Sequence, residues 1–238
     1  LHAGTASAFT PGMRTLLRLG QVWLLLLILL SGAGCTSPRL ERQVRDKPIG
    51  PAYEPENLYA VSPLTPLVRT VAILPFGTSG LQHPFMPEVE STMIGKLRSS
   101  GRFHVILVSP DYLERHTGRH TYPYNEPLPR DLLEAVRSDF KADAVLLTEI
   151  TAFRPYKPML LGVRSRLIRL PGYRTLWACD EIFDAGDRTV STGARKYAEH
   201  HLDQPYPLQS SYASLLSPQR FAGYVSQTLY ESLPRRTP

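Results

Sequence analysis

Residues 140–184 read FKADAVLLTEITAFRPYKPMLLGVRSRLIRLPGYRTLWACDEIFD, and three apolar runs in them decide the fold. The first, ADAVLLTEITAF (142–153), has the near-continuous apolar character of a buried strand. In the second, PMLLGVRSRLIRL (158–170), Val163, Ser165 and Leu167 alternate with Gly162, Arg164 and Arg166. That is the period-2 pattern of a half-exposed strand. The third, YRTLWACDEIFDA (173–185), follows Pro171-Gly172, a pair that makes a turn. So short a connection predicts a hairpin. It would place Trp177 over the core beside Leu167 or Val163, a large body covering one face of a sheet.

Upstream the texture is helical and parallel. VRTVAILPF (68–76) is a buried strand ending at Pro75. Pro87 opens a helix whose Val89, Met93 and Leu97 form an i, i+4, i+8 stripe. Ser99-Ser100-Gly101 ends it, and RFHVILVS (102–109) is the next strand. Ser109-Pro110 pairs an N-cap with a first-turn proline. A third helix follows the loop 118–129, with Asp131 as cap and Leu132, Leu133, Val136 and Phe140 as its apolar face. Downstream, Ser217-Pro218 starts a last helix striped by Phe221, Val225 and Leu229. The order β-α-β-α-α-β-β-β-α predicts the α/β class, with a mixed sheet of about five strands and helices packed on it.

The amino-terminal region differs in kind. Met13, Arg14 and Arg18 precede an uncharged run from Leu19 to Cys35 that contains LLLLILLSGAGC (24–35). A basic start and a short apolar run, too short for a permanent span, are the marks of a signal peptide. The small residues Ser31 to Gly34 before Cys35 resemble a bacterial lipoprotein lipobox, although Gly32 stands where that family prefers Leu. The resemblance implies cleavage before Cys35 and acylation of its thiol and amino group, diacylglycerol and palmitate-type chains that hold a protein to a membrane. Residues 1–34 are then the signal peptide, with 1–12 read as an overlong start. Residues 35–67 carry Pro38, Pro48, Pro51, Pro55, Pro63 and Pro66 and read as an extended tether. Residues 68–238 form a single α/β domain. Thr36 and Ser37, rather than Asp, follow Cys35. By resemblance to enterobacterial sorting this implies the outer membrane, with the domain facing the periplasm.

Three stretches together, VRTVAILPF, ESTMIGKLRSSGRFHVI and residues 140–184, are similar to the family of periplasmic lipoproteins around the curli secretion protein CsgG. That group shares its fold with the amino-terminal domain of TolB and with lipoproteins that activate penicillin-binding proteins. The resemblance covers about residues 68–185 and the last helix. It implies a TolB amino-terminal-domain-like fold and a scaffold, activator or ring-forming export component, with partners in the cell envelope. The long alternating hairpins that line a membrane barrel are not seen in the sequence.

Composition narrows the functions. Lys and Arg number 27 against 21 Asp and Glu, a net charge of +6, but no run of like charge forms the stripe that nucleic acid requires. Of the two cysteines, Cys35 is the expected lipidation site, and Cys179 in LWACDE reads as a small buried hydrophobe. His116 and His120 with Glu114 lack a third ligand of a zinc motif. Asp184 and Asp187 lack calcium-loop spacing. No nucleophile elbow, P-loop or dinucleotide fingerprint occurs. The expectation is therefore no enzyme, with an unrecognised envelope enzyme as the lesser alternative, and no catalytic residue, cofactor or metal. The stretch FRPYKPML (153–160) combines prolines, aromatics and cations. Its Phe153, Arg154, Tyr156 and Lys157 are the candidate partner-binding residues, because prolines reduce the ordering cost of binding. Partners expected are a membrane through Cys35, another envelope protein and further copies of the chain.

Overall fold

The computed structural model describes residues 47–61, 63–64, 68–201 and 211–235. Cys35, the expected signal segment and the first part of the expected tether lie outside the described residues.

Six strands build one mixed sheet: β1 (Leu58–Ala60), β2 (Thr70–Ile73), β3 (His104–Leu107), β4 (Ala144–Arg154), β5 (Leu160–Arg169) and β6 (Thr175–Asp184), in the spatial order β1-β6-β5-β4-β2-β3. β2 runs parallel to β3 and β4; β4, β5, β6 and β1 are antiparallel neighbours. The parallel half is the part joined by helices, as crossover connections require. The antiparallel half is the part joined by short links. Leu167 stands opposite Trp177 in the β5–β6 register, and Trp177 is fully buried, as the alternation predicts.

Among the described residues five α-helices cover the sheet: α1 (Met86–Ser99), α2 (Pro110–Thr117), α3 (Arg130–Phe140), α4 (Arg188–His201) and α5 (Pro218–Glu231). Ser109 and Ser217 cap α2 and α5, their hydroxyls accepting from the N–H groups of Tyr112 and Arg220 at 3.2 Å each. Asp131 falls inside the first turn of α3 and is not its cap; the chain enters through Pro129. α1, α4 and α5 lie over one core, where Val71, Ile73, Leu146, Val163, Leu167, Trp177 and Phe183 meet Met93, Phe221 and Val225. A second core holds Ala72, Leu74, Val145, Leu147 and Ile168 with Leu113, Leu132 and Val136 of α2 and α3. The two cores take alternate residues of the same strands, which is the consequence of the period-2 pleat.

Two elements depart from expectation. The extended tether expected across 35–67 is corrected in its later part: Leu58–Ala60 joins the sheet as β1, and Leu64 is buried in the larger core. Prolines fix an extended backbone, and an extended backbone at a free sheet edge becomes a strand. The compact unit starts at Pro48, not at residue 68. The other departure is α4, whose buried face is Val190, Thr192, Gly193, Ala194, Tyr197 and Ala198. Val190, Ala194 and Tyr197 keep helical spacing there, but Thr192 and Gly193 share the face and dilute the stripe.

α4 and α5 cross at two glycines. A Cβ placed on Gly193 would lie 2.5 Å from the Tyr224 hydroxyl, and one on Gly223 would lie 2.9 Å from the Tyr197 hydroxyl. Each helix thus seats a tyrosine of the other where it has no side chain. The C-terminal end of α5 leaves carbonyls without intrahelical partners. Arg102 fastens this end and the chain just past it, donating to Tyr230 O at 3.0 Å, Leu233 O at 2.8 Å and Pro234 O.

Candidate partner-binding surface

β2 accompanies β4 only from Ala144 to Leu146, with one further bridge at Gly77–Glu149. Beyond it β4 and β5 continue as a hairpin to residues 155–159. The pairing slips between Ile150 and Ala152, a bulge that bends the pair. Gly162 faces it: a Cβ there would sit 2.6 Å from Thr151 Oγ1 and 3.0 Å from Ala152 N. The glycine in this strand is therefore a requirement of close approach.

The tip divides the four candidate residues into two pairs. Phe153 is half-buried against the larger core and meets the His83 ring edge-on at 5.2 Å. Arg154 donates from Nη2 to both carboxylate oxygens of Asp184, at 3.0 and 3.1 Å, and from Nε to Pro158 O at 2.5 Å. These two side chains position the tip. Met159 is buried and its carbonyl accepts from Ala185 N at 2.7 Å, a second fastening. Tyr156 is 71% exposed and Lys157 is exposed beside it. The arrangement is an aromatic and a cation presented outward on a backbone held from below.

His83 and Phe85, which sequence reasoning passed over, stand beside this tip. Their rings lie 5.3 Å apart, and His83 Nδ1 accepts from Phe85 N at 3.2 Å. The signal was present in LQHPF (81–85), which repeats the proline-and-aromatic composition of FRPYKPML.

The acidic residues that could suggest calcium have other tasks. Asp184 Oδ1 also accepts from Gly186 N at 2.8 Å. Asp187 caps α4, accepting from Thr189 N at 2.6 Å, Thr189 Oγ1 at 2.5 Å and Val190 N at 3.2 Å. The Thr189 hydroxyl, then the Val190 and Thr189 N–H groups, hold its carboxyl below the usual range. His116 and His120 do not act as a pair. His116 stacks on Tyr112 with centroids 4.4 Å apart, while His120 Nε2 lies 3.5 Å from Glu114. Asp111, Glu114 and His120 bring their ligand atoms within 4.8 Å of one another, but all three are exposed, and such a group at a helix end does not by itself make a metal site. Cys179 is buried, and its thiol is pushed up to about 12, chiefly by burial and further by Glu181 and Asp180. A thiolate nucleophile is thereby disfavoured.

On the sheet face away from α4 and α5, Arg164 and Arg166 fasten the loop 118–129. Arg164 Nη1 donates to Asn125 Oδ1 at 3.0 Å, and Arg166 Nη2 donates to Glu126 O at 2.8 Å. Both guanidinium groups face the Tyr124 ring, at 5.5 and 4.8 Å. Burial lowers the pKa of Arg166 and raises that of Tyr124. Past this loop the face is open, with Tyr59 and Ile182 both more than half exposed. Among the described residues no helix is long and apolar enough to cross a membrane.

No family model matches the chain, and no curated protein matches it. Solved structures do. PelC from Paraburkholderia phytofirmans, described as a dodecamer, matches at 15% identity and a TM-score of 0.45, over 76% of this chain and 96% of that one. Lipoprotein GNA1162 from Neisseria meningitidis matches at 12% and 0.35, over 50% of this chain and 85% of that one. The LpoB C-terminal domain from Salmonella enterica matches at 13% and 0.34, over 50% and 84%. TolB from Acinetobacter baumannii also matches, over 28% of its length. CsgG does not stand among these matches. They are likenesses of shape, and the site is read from this chain's own residues.

Proposed function

We propose that this chain is a lipid-anchored envelope protein, without enzymatic activity, whose domain binds another envelope component at the β4–β5 tip. The observation that carries the partner site is Tyr156 beside Lys157, exposed on a hairpin that Arg154–Asp184 and Met159 hold in place. Rigid presentation of an exposed aromatic lowers the entropy lost on binding. Acylation of Cys35 would supply the membrane attachment, at the outer membrane and facing the periplasm; the lipobox-like residues support that part.

The test is photo-crosslinking in cells from position 156, with position 131 on α3 as control. A discrete adduct from 156, absent from 131, supports the tip as the binding site. Adducts equal at both positions, or none at 156, reject it. Cys35→Ser separates the anchor from the binding: it should release a folded protein from membranes, and retention at high salt would reject the lipid anchor.

A second reading, a subunit of a homo-oligomer, is favoured by the outer edge of β3. β3 ends the sheet, and Leu107 on it is exposed. Light scattering from the purified protein decides: a defined multimer supports the subunit, a monomer rejects it.

A further inference from the structure

β1 belongs to a longer strap. Among residues 47–61 none is fully buried, and all three side chains of β1 are exposed. What the strap lies on is the opposite. Trp177, Cys179, Glu181 and Phe183 of β6 are buried, and Glu181 is only 7% exposed. Its carboxylate accepts from the Tyr53 hydroxyl, from Glu56 N at 2.5 Å and from Asn57 N at 2.6 Å. A buried carboxylate is costly unless its oxygens are hydrogen-bonded. Every one of these donors comes from the strap.

The remaining strap contacts are mostly backbone to backbone. Tyr53 N donates to Thr189 O at 3.1 Å, Asp180 N to Asn57 O at 3.1 Å, and Val61 N to Leu176 O at 2.8 Å. Side chains add the Tyr53 ring, edge-on to Phe183 at 5.2 Å, and Lys196 Nζ, which donates to Gly50 O at 2.8 Å. The seat therefore requires two successive N–H groups and a phenol, and asks little else of its occupant. Backbone pairing at a sheet edge with one side-chain pocket is the mode by which extended peptides add to sheets.

We propose that the strap is an exchangeable edge strand, and that the β6 edge with Glu181 and Phe183 is a second binding site, for an extended partner segment bearing a tyrosine. The partner's strand takes the place of β1, its phenol and two backbone N–H groups satisfying Glu181. The strap then occupies its own chain's site until such a segment competes with it.

The probe is a fluorescent peptide of residues 51–61 of this chain, titrated against the full chain. Tyr53→Ala weakens the tethered strap but leaves the seat intact, so it should bind the peptide at least ~10-fold more tightly than wild type, as loss of an intramolecular competitor requires. Glu181→Ala, and to a lesser degree Glu181→Gln, should remove saturable binding. Tyr53→Ala binding no more tightly than wild type overturns the proposal, as does binding that survives Glu181→Ala. Hydrogen exchange on the wild-type chain needs no variant to fold. The amides of Glu56 and Asn57 should exchange at least ~100-fold faster than those in the centre of β4 and β5, because opening is local. Equal rates would mean that the strap leaves only on global unfolding, and would also overturn the proposal. A failed crosslink at Tyr156 leaves both measurements unaffected.

Discussion

Beneath α4 and α5 the sheet is met by side chains with no spare room; along β6 and at the hairpin tip it is met by hydrogen bonds. In the first region Trp177, Phe183 and Phe221 are fully buried and two glycines seat two tyrosines. In the second, Arg154–Asp184 and Glu181–Tyr53 fasten segments whose own side chains are largely exposed. Dense packing penalises any change of shape. Polar fastenings can be remade only by a segment that offers the same donors. Stability is concentrated in one region, and the surfaces available for recognition in the other.

Trp177→Ala should break that contrast most severely. Loss of a buried Trp side chain costs about 3–5 kcal/mol, a large part of a typical ~5–15 kcal/mol. It also removes the donor to Ser232 Oγ, which Trp177 Nε1 reaches at 3.1 Å. Thermal melting measures it, and an unchanged curve would remove Trp177 from the core.

Gly193→Ala comes next. Its methyl would meet the Tyr224 hydroxyl at 2.5 Å and the ring at 3.0 Å. Overpacking of this kind costs about 1–3 kcal/mol. Tyr224→Phe in the same chain should recover part of the loss, and strictly additive effects would show that the two positions do not meet.

Arg154→Ala should cost less, at most about 1 kcal/mol, because both partners are well exposed. Its signature is local: faster exchange of the amides at 156 and 157 with the rest of the sheet unchanged. If the whole hairpin loosens, Arg154 supports more than the tip.

The smallest effect tests the packed side from within. Burial raises the Glu90 carboxyl above its ordinary range, while a hydrogen bond from Phe76 N opposes the rise. A carboxyl raised in the folded state favours folding below its unfolded pKa, and that advantage is lost as pH rises through the folded value. Glu90→Gln should therefore raise the melting temperature at neutral pH and give no gain under acid conditions. A gain that persists in acid would reject the burial account.

Much of this contrast was legible in the sequence. The alternation of Val163, Ser165 and Leu167 with Arg164 and Arg166 places the core face of β5 correctly, and Ser109 and Ser217 announce their helices. α4 was hard to read, because Thr192 and Gly193 dilute the stripe of Val190, Ala194 and Tyr197 and Asp187 looks like a turn residue. β1 was hidden by the prolines around it. At the tip, composition marked an exposed loop, but Arg154 finds its partner 30 residues away at Asp184 and Tyr53 finds Glu181 128 residues away. Side-chain direction set by such distant partners has no local signal, so the division of Phe153 and Arg154 from Tyr156 and Lys157 needed the fold.

The junction at the end of α5 has a consequence for synthesis. Arg102 holds the carbonyls of Tyr230, Leu233 and Pro234, Leu64 N donates to Arg235 O at 3.0 Å, and Trp177 waits for Ser232. A nascent chain halted before residue 218 has its sheet strands in hand but lacks α5 to cover Trp177 and Phe183. Closure is thus timed by the arrival of residues 218–235, after every strand has been made.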